Sequence, residues 1–215
     1  MTLGAVWASV RAAQLDIVGG FHPGPGDGLP ATVGTLLLLG PREPGFWETL
    51  SAAPEFGDGA PDPLDRWSER VVAGLARDLD ALPFFPFGDP RRPFVGWALR
   101  TGRIWVSEVQ LMISAEAGLL LSFRGALGLQ DRLDLPAQGE RPCDGCAGKP
   151  CRTACPVGAL TPAGYDIATC RAWLATPEGA SDCGASGCAV RRACPSSAGH
   201  PRDPALHAHH MRYFA

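Results

Sequence analysis

Eight cysteines fall between positions 143 and 194, and the rest of the chain has none. They run Cys143-x2-Cys146-x4-Cys151-x3-Cys155-Pro156, then Cys170, Cys183, Cys188 and Cys194-Pro195. Inert buried cysteines would scatter along a chain, so thiols this dense ask for a common partner. A disulfide framework needs an oxidising compartment, and nothing here marks the chain for export. Paired four-thiolate zinc sites are usually built from two C-x2-C knuckles, and only Cys143–Cys146 has that spacing. An iron–sulfur arrangement explains more. Three closely spaced cysteines wrap one cube from a single loop, and the small Gly145, Ala147 and Gly148 let backbone amides approach the sulfurs. In two-cluster ferredoxins the cysteine before proline ligates the other cluster. Two Cys-Pro steps and eight thiols match two [4Fe-4S] clusters. The expected partition is Cys143, Cys146, Cys151 and Cys194 for one, and Cys155, Cys170, Cys183 and Cys188 for the other.

A cube with four thiolates is an anion. Lys149, Arg152, Arg171, Arg191 and Arg192 lie among the cysteines. They either favour the reduced, more negative state or form a solvated face. The net charge of −3 is uneven. From Arg141 onward Arg and Lys are in surplus, and before it Asp and Glu are. Without interleaved aromatics this is a poor nucleic-acid footprint, and no nucleic-acid partner is expected. No segment reaches the roughly 18 apolar residues of a membrane span, so none is expected to cross a membrane. The opening "MTLGAVWASVRAA" lacks a basic n-region and reads as an amphipathic helix (Leu3, Val6, Trp7, Val10) rather than a signal peptide. A cytoplasmic protein is the expectation.

Hydrophobic residues make up 46% and charged residues 19%, enough for a real core, while 27 Gly and 21 Pro imply many turns. Helix is predicted over 3–14 and 43–53, and strand over 15–23 and 31–41. The loop between the strands, "HPGPGDGLP", with His22 beside it, is a connection or a ligand contact. The segment 61–82 gives the strongest helix. Asp62 is placed as N-cap and Pro63 at the first position, with Leu64, Trp67, Val71, Leu75 and Leu79 as its core face. Two further strands are predicted at about 109–114 and 118–124, turning at "SAEAG". "DLPAQGERP" (134–142) reads as a linker. The expected organisation is a ligand-binding domain at 1–137, a cysteine domain at 138–199 and a C-terminal docking tail at 200–215.

With these motifs in hand, "CDGCAGKPCRTACPVGAL", "GYDIATCRAWL" and "GCAVRRACP" together resemble the two-cluster ferredoxin module of epoxyqueuosine reductases, and are similar to that of reductive dehalogenases. Both families place this module beside a base-off cobalamin, and the resemblance implies that Cys170 in "CRAWL" is a cluster ligand. "DPLDRW" and "QLMISAEAGLLLSFRGALGL" resemble the cobalamin-processing chaperone family (the CblC type). Ile113, Gly118, Arg124 and Gly125 fall on its pattern, and Ser114-Ala115 stand where the pattern has His-Pro. The implied fold is α+β: a flavin-reductase/nitroreductase-like sheet-and-helix domain followed by a small dicluster ferredoxin-like domain. Arg124, Gly125 and Gly118 become candidate cofactor-binding residues. The tRNA substrate of epoxyqueuosine reductases is not carried over, because their long C-terminal helical repeats have no counterpart here.

Arg124 lies in the apolar run "LLLSFRGAL", where a charge needs either an ion-pair partner (Asp62 or Asp65) or an anionic or amide group on a ligand. His200, His207, His209 and His210 crowd the C-terminus. They form a metal site, or a tail whose Met211, Tyr213 and Phe214 dock while the imidazoles stay wet, or a flap in which His210 and Met211 fold back onto the N-terminal domain's cavity. No nucleophile–base pair and no P-loop is visible, so no catalytic residue is assigned. The functional expectation is an oxidoreductase-type protein that takes electrons from a reductase, flavodoxin or ferredoxin. It carries them through two [4Fe-4S] clusters to a corrinoid or other redox ligand. The alternative is a non-catalytic ferredoxin-type carrier with an added docking domain.

Overall fold

The computed structural model describes residues 1–213. In chain order the elements are α1 (Leu3–Ala12), β1 (Leu15–Phe21), β2 (Thr35–Pro41), α2 (Phe46–Ser51), α3 (Pro54–Gly57), α4 (Pro63–Asp78), β3 (Leu82–Phe84), α5 (Phe94–Arg100), β4 (Ile104–Val106), β5 (Met112–Ser114) and β6 (Gly125–Leu129). The cysteine-bearing part adds β7 (Leu160–Thr161), β8 (Gly164–Tyr165), α6 (Ile167–Leu174), α7 (Pro177–Gly179), α8 (Ala189–Arg192), α9 (Pro195–Ala198) and α10 (Pro204–Met211). The chain is α+β, with a small antiparallel sheet and several helices. No helix among the described residues is long and apolar enough to cross a membrane.

The chain divides into two compact units. The first is Met1–Arg103 with Ser122–Gln138. Its sheet has the order β1-β2-β6-β3, antiparallel throughout. The "TLLLL" run of β2 is fully buried because β2 is an inner strand between β1 and β6. Helix α4 buries Leu64, Trp67, Val72 and Leu75, and Leu79 is buried at its C-cap. The register therefore uses Val72 where the sequence pattern pointed to Val71, which is half-buried. Asp62 does occupy the N-cap position but makes no side-chain capping bond, because its backbone is left-handed at φ 52°. The Gly/Pro loop is held structurally. Buried Asp27 accepts from Arg100 at 2.5 Å and from the Gly24 N–H at 2.7 Å, and Trp97 donates to its carbonyl at 2.9 Å. His22 Nε2 lies 2.9 Å from the Leu133 carbonyl.

The second unit is Ile104–Leu121 with Gly139–Ala215. Residues 104–121, read from the sequence as part of the first domain, therefore cluster with the cysteines. The predicted strand pair is also different. β5 pairs with β4, and the run 118–124 is not a strand. Its apolar side chains mimic one, but side chains from far along the chain take up its backbone groups. The Leu119 N–H donates to Ser197 Oγ at 2.9 Å, Arg191 donates to the Leu119 carbonyl, and Arg202 donates to the Leu120 carbonyl at 2.6 Å. The true strand, β6, begins at Gly125.

Candidate metal centre

The eight thiols sort into two groups of four around two separate cavities of the second unit. Cys143, Cys146, Cys151 and Cys194 line a cavity of about 530 Å³, walled also by Glu108, Ile113, Leu119 and Lys149. Cys155, Cys170, Cys183 and Cys188 line a tighter one of about 50 Å³, walled also by Tyr165, Trp173, Arg191 and Met211. All eight are free of disulfides.

Short turns deliver the first set. The Cys146 N–H bonds back to the Cys143 carbonyl at 3.3 Å, closing the C-x2-C loop. A single 3-10 turn, Pro150–Arg152, presents Cys151 inward. Cys194 is the N-cap of α9, and its carbonyl accepts from Ser197 N–H at 2.9 Å. Burial pushes the Cys151 thiol pKa up, and the nearby Cys194, Cys143 and Cys146 push it further, as expected for four thiols aimed at one space. On the wall, Glu108 accepts from Lys149 at 3.1 Å and lies 3.4 Å from Arg141. The Lys149 hydrogen bond is the main reason its carboxyl sits below the usual range.

The second set is carried by α6 (Cys170), the π-helical turn Ala180–Gly184 (Cys183), the N-cap of α8 (Cys188) and the turn after Cys155, whose sulfur accepts from the Ala159 N–H at 3.2 Å. Gly179 permits this packing, since a Cβ there would stand 1.9 Å from the Trp173 carbonyl. Burial raises the Cys183 thiol pKa, and Cys188 and Asp182 add to the rise. Tyr165 hydrogen-bonds Cys170, and burial first and that thiol second hold its phenol far above the ordinary range. Arg191 also faces Cys188, while desolvation pulls its guanidinium pKa down. The Trp173 indole Nε1 is buried in this wall, where its N–H is directed at the Cys183 thiol.

The five basic residues near the cysteines separate on inspection. Lys149 is paired with Glu108 in the first wall and Arg191 is in the second. Arg192 is paired with Asp182, and Arg152 and Arg171 are exposed. Arg124, Gly125 and Gly118 do not form one group. Arg124 is buried in the first unit, 3.8 Å from Asp65. Gly125 packs under α4, where a Cβ would meet Val72 at 3.1 Å. Gly118 belongs to the second unit, where a Cβ would stand 2.4 Å from the Ser197 nitrogen. Ile113 is buried in the first cavity's wall, and Ser114 Oγ accepts from the Ala117 N–H at 3.1 Å.

In the C-terminal segment Met211 packs on Leu174 and Cys183, within the second unit. His209 is buried rather than wet, and His200 and His207 are half-buried. Tyr213 is exposed rather than docked, and Phe214 lies outside the described residues. Among the described residues no three His, Cys, Asp or Glu side chains converge as a single metal ion would require. Tyr165, Trp173 and Glu108 were not singled out in the sequence. Trp173 had the better signal, three residues after Cys170 and so on the same helix face. No family model, curated protein or solved structure matches the chain.

Proposed function

We propose that the chain is a cytoplasmic iron–sulfur redox protein. Cys143, Cys146, Cys151 and Cys194 hold one [4Fe-4S] cluster, and Cys155, Cys170, Cys183 and Cys188 hold a second. One observation carries the reading: eight thiols from 143 to 194 divide into two cavities of four, with the two Cys-Pro cysteines falling in different sets. The residues fit such a group. Each cavity is lined by four thiols, and a four-iron cube takes one thiolate per iron. The Trp173 indole N–H beside Cys183 and the Ala159 N–H on Cys155 Sγ supply donors of the kind that cluster or thiolate sulfurs accept.

When bound, such clusters supply one-electron transfer at potentials set by their surroundings. The chain's own residues do the rest. The eight thiols must shed their protons to bind metal, and burial, which raises the pKa of Cys151 and of Cys183, opposes this at those two until metal arrives. Leu119, Ile113, Leu160 and Val190 pack against the cysteines and limit water. An electron donor of the reductase, flavodoxin or ferredoxin type is the natural partner. In the fuller form of the proposal the first unit is flavin-reductase-like and holds a corrinoid or flat redox ligand, the second is ferredoxin-like, and the whole is a corrinoid-dependent reductase. A specific observation favours the simpler alternative, a non-catalytic ferredoxin-type carrier. Arg124 faces Asp65, Gly118 and Gly125 are each accounted for by packing, and Ser114 caps a turn where the chaperone pattern has His.

Anaerobic reconstitution with iron and sulfide tests the reading. It predicts about eight irons and eight sulfides per chain; a protein that takes up only zinc refutes it. Hydroxocobalamin added to that sample separates the two forms. Base-off spectra retained through desalting support the reductase, and a corrinoid that washes through supports the carrier.

A further inference from the structure

The two cavities differ in the charge their walls offer. In the first, the cation Lys149 is neutralised by Glu108 at 3.1 Å. Among the described residues that line the second, Arg191 is the only charged side chain, and the Asp182 carboxylate next to Cys183 is paired with Arg192. Its Nη1 is fixed on the Leu119 carbonyl, so the guanidinium is held in place rather than swinging to solvent. Two further donors face the same space, the phenol of Tyr165 on Cys170 and the buried Nε1 of Trp173 on Cys183. Burial alone opposes added negative charge, while a held cation and oriented donors beside the thiolates favour it.

We propose that Arg191, Trp173 and Tyr165 are positioning residues that make the Cys155 set the electron-holding end of the protein. One electron delivered by an external one-electron donor then resides there in preference to the Cys143 set. This rests on the cluster reading above. No bond is made or broken. The donor loses one electron, and the thiolate-bound group gains one negative charge.

The test is potentiometric titration of the reconstituted full chain with dithionite, followed by electron paramagnetic resonance. Cys194→Ala serves to assign which signal belongs to the Cys155 set. That set is expected to have the higher midpoint potential. Trp173→Phe should shift it downward, leave the other unmoved and retain all the iron; Arg191→Gln, which also releases the Leu119 carbonyl beside the first cavity, should shift it downward by more than it moves the other. Arg191→Lys, which keeps the charge, should titrate near the wild type. Full iron with neither potential moved in the Gln and Phe variants overturns this inference alone, as does a shift confined to the Cys143 set. If Arg191→Gln does not assemble, Trp173→Phe decides, because a six-membered aromatic ring stays in the wall while the indole N–H is lost. A wild-type chain that takes up no iron overturns both this inference and the reading beneath it.

Discussion

Gly118→Ala isolates what that glycine does. Gly118 has φ +54°, a region that costs an ordinary residue roughly 1–2 kcal/mol. The new Cβ would stand 2.4 Å from Ser197 N, 2.5 Å from Ser197 Oγ and 2.6 Å from the Ser196 carbonyl carbon. None of these can easily retreat. The Ser197 N–H is bonded to the Cys194 carbonyl at 2.9 Å, and its Oγ accepts from Leu119 at 2.9 Å. Relief of such overpacking typically costs about 1–3 kcal/mol. The sum, about 2–5 kcal/mol, corresponds to a melting temperature lower by roughly 5–15 °C for a chain of this size. Because α9 carries Cys194 at its start, the displacement should also weaken iron retention by the Cys143 set. Thermal scans by circular dichroism, with iron assay on the same anaerobic samples, measure both. A shift under roughly 2 °C with full iron would refute the packing argument. If corrinoid retention fell in that stable variant, Gly118 would be a ligand-contact residue.

The other predictions follow from the same geometry. Cys194→Ala and Cys183→Ala should each roughly halve the iron content and abolish different spectroscopic signals; two variants that remove the same signal would break the partition. Arg124→Met should cost about 1–2 kcal/mol, since Asp65 keeps a partly buried carboxylate without its cation, while iron content stays full because both residues lie in the first unit. Chemical denaturation with iron assay tests this. His207 titrates at about 4, pulled down first by burial and then by Arg202, Arg191, Arg192 and His200. Between about pH 6.5 and 4 the unfolded chain binds a proton that the folded chain declines, so stability is complete above this window and falls as pH drops through it. After allowance for its half-exposed position the loss is about 1 kcal/mol, and His207→Gln should flatten stability against pH over that interval.

The expected grouping of the thiols rests on the two Cys-Pro steps, because in two-cluster ferredoxins the cysteine before proline ligates the other cluster, and such a step is read without knowing any distant contact. The α+β class and most of α1, β1, β2 and α4 were legible for a similar reason, since apolar periodicity reports burial directly. The run 118–124 was misread because its composition suits a strand while its hydrogen bonds come from residues more than seventy positions later. Val71 and Val72 were exchanged because two adjacent β-branched residues make the helical phase ambiguous within one position. Tyr165 and Trp173 carry no motif of their own. Only the convergence of α6 and β8 on one cavity gives an ordinary aromatic residue a polar task.

The peptide of Leu119 brings these threads together. Its N–H is held by Ser197, just beyond Cys194 of the first set, and its carbonyl is held by Arg191, in the wall of the second. Its side chain lines the first cavity. A segment that looks like a strand therefore spends its backbone polarity on anchoring two helices, α8 and α9, which carry the last cysteine of each set at their N-caps. Cysteine substitutions can unload one site and spare the other, but a change that moves this peptide must reach both. Residues 104–121 thus belong with the cysteines for a physical reason. Without that peptide, Cys188 and Cys194 would sit on short helices of four residues each, and helices that short are not stable on their own.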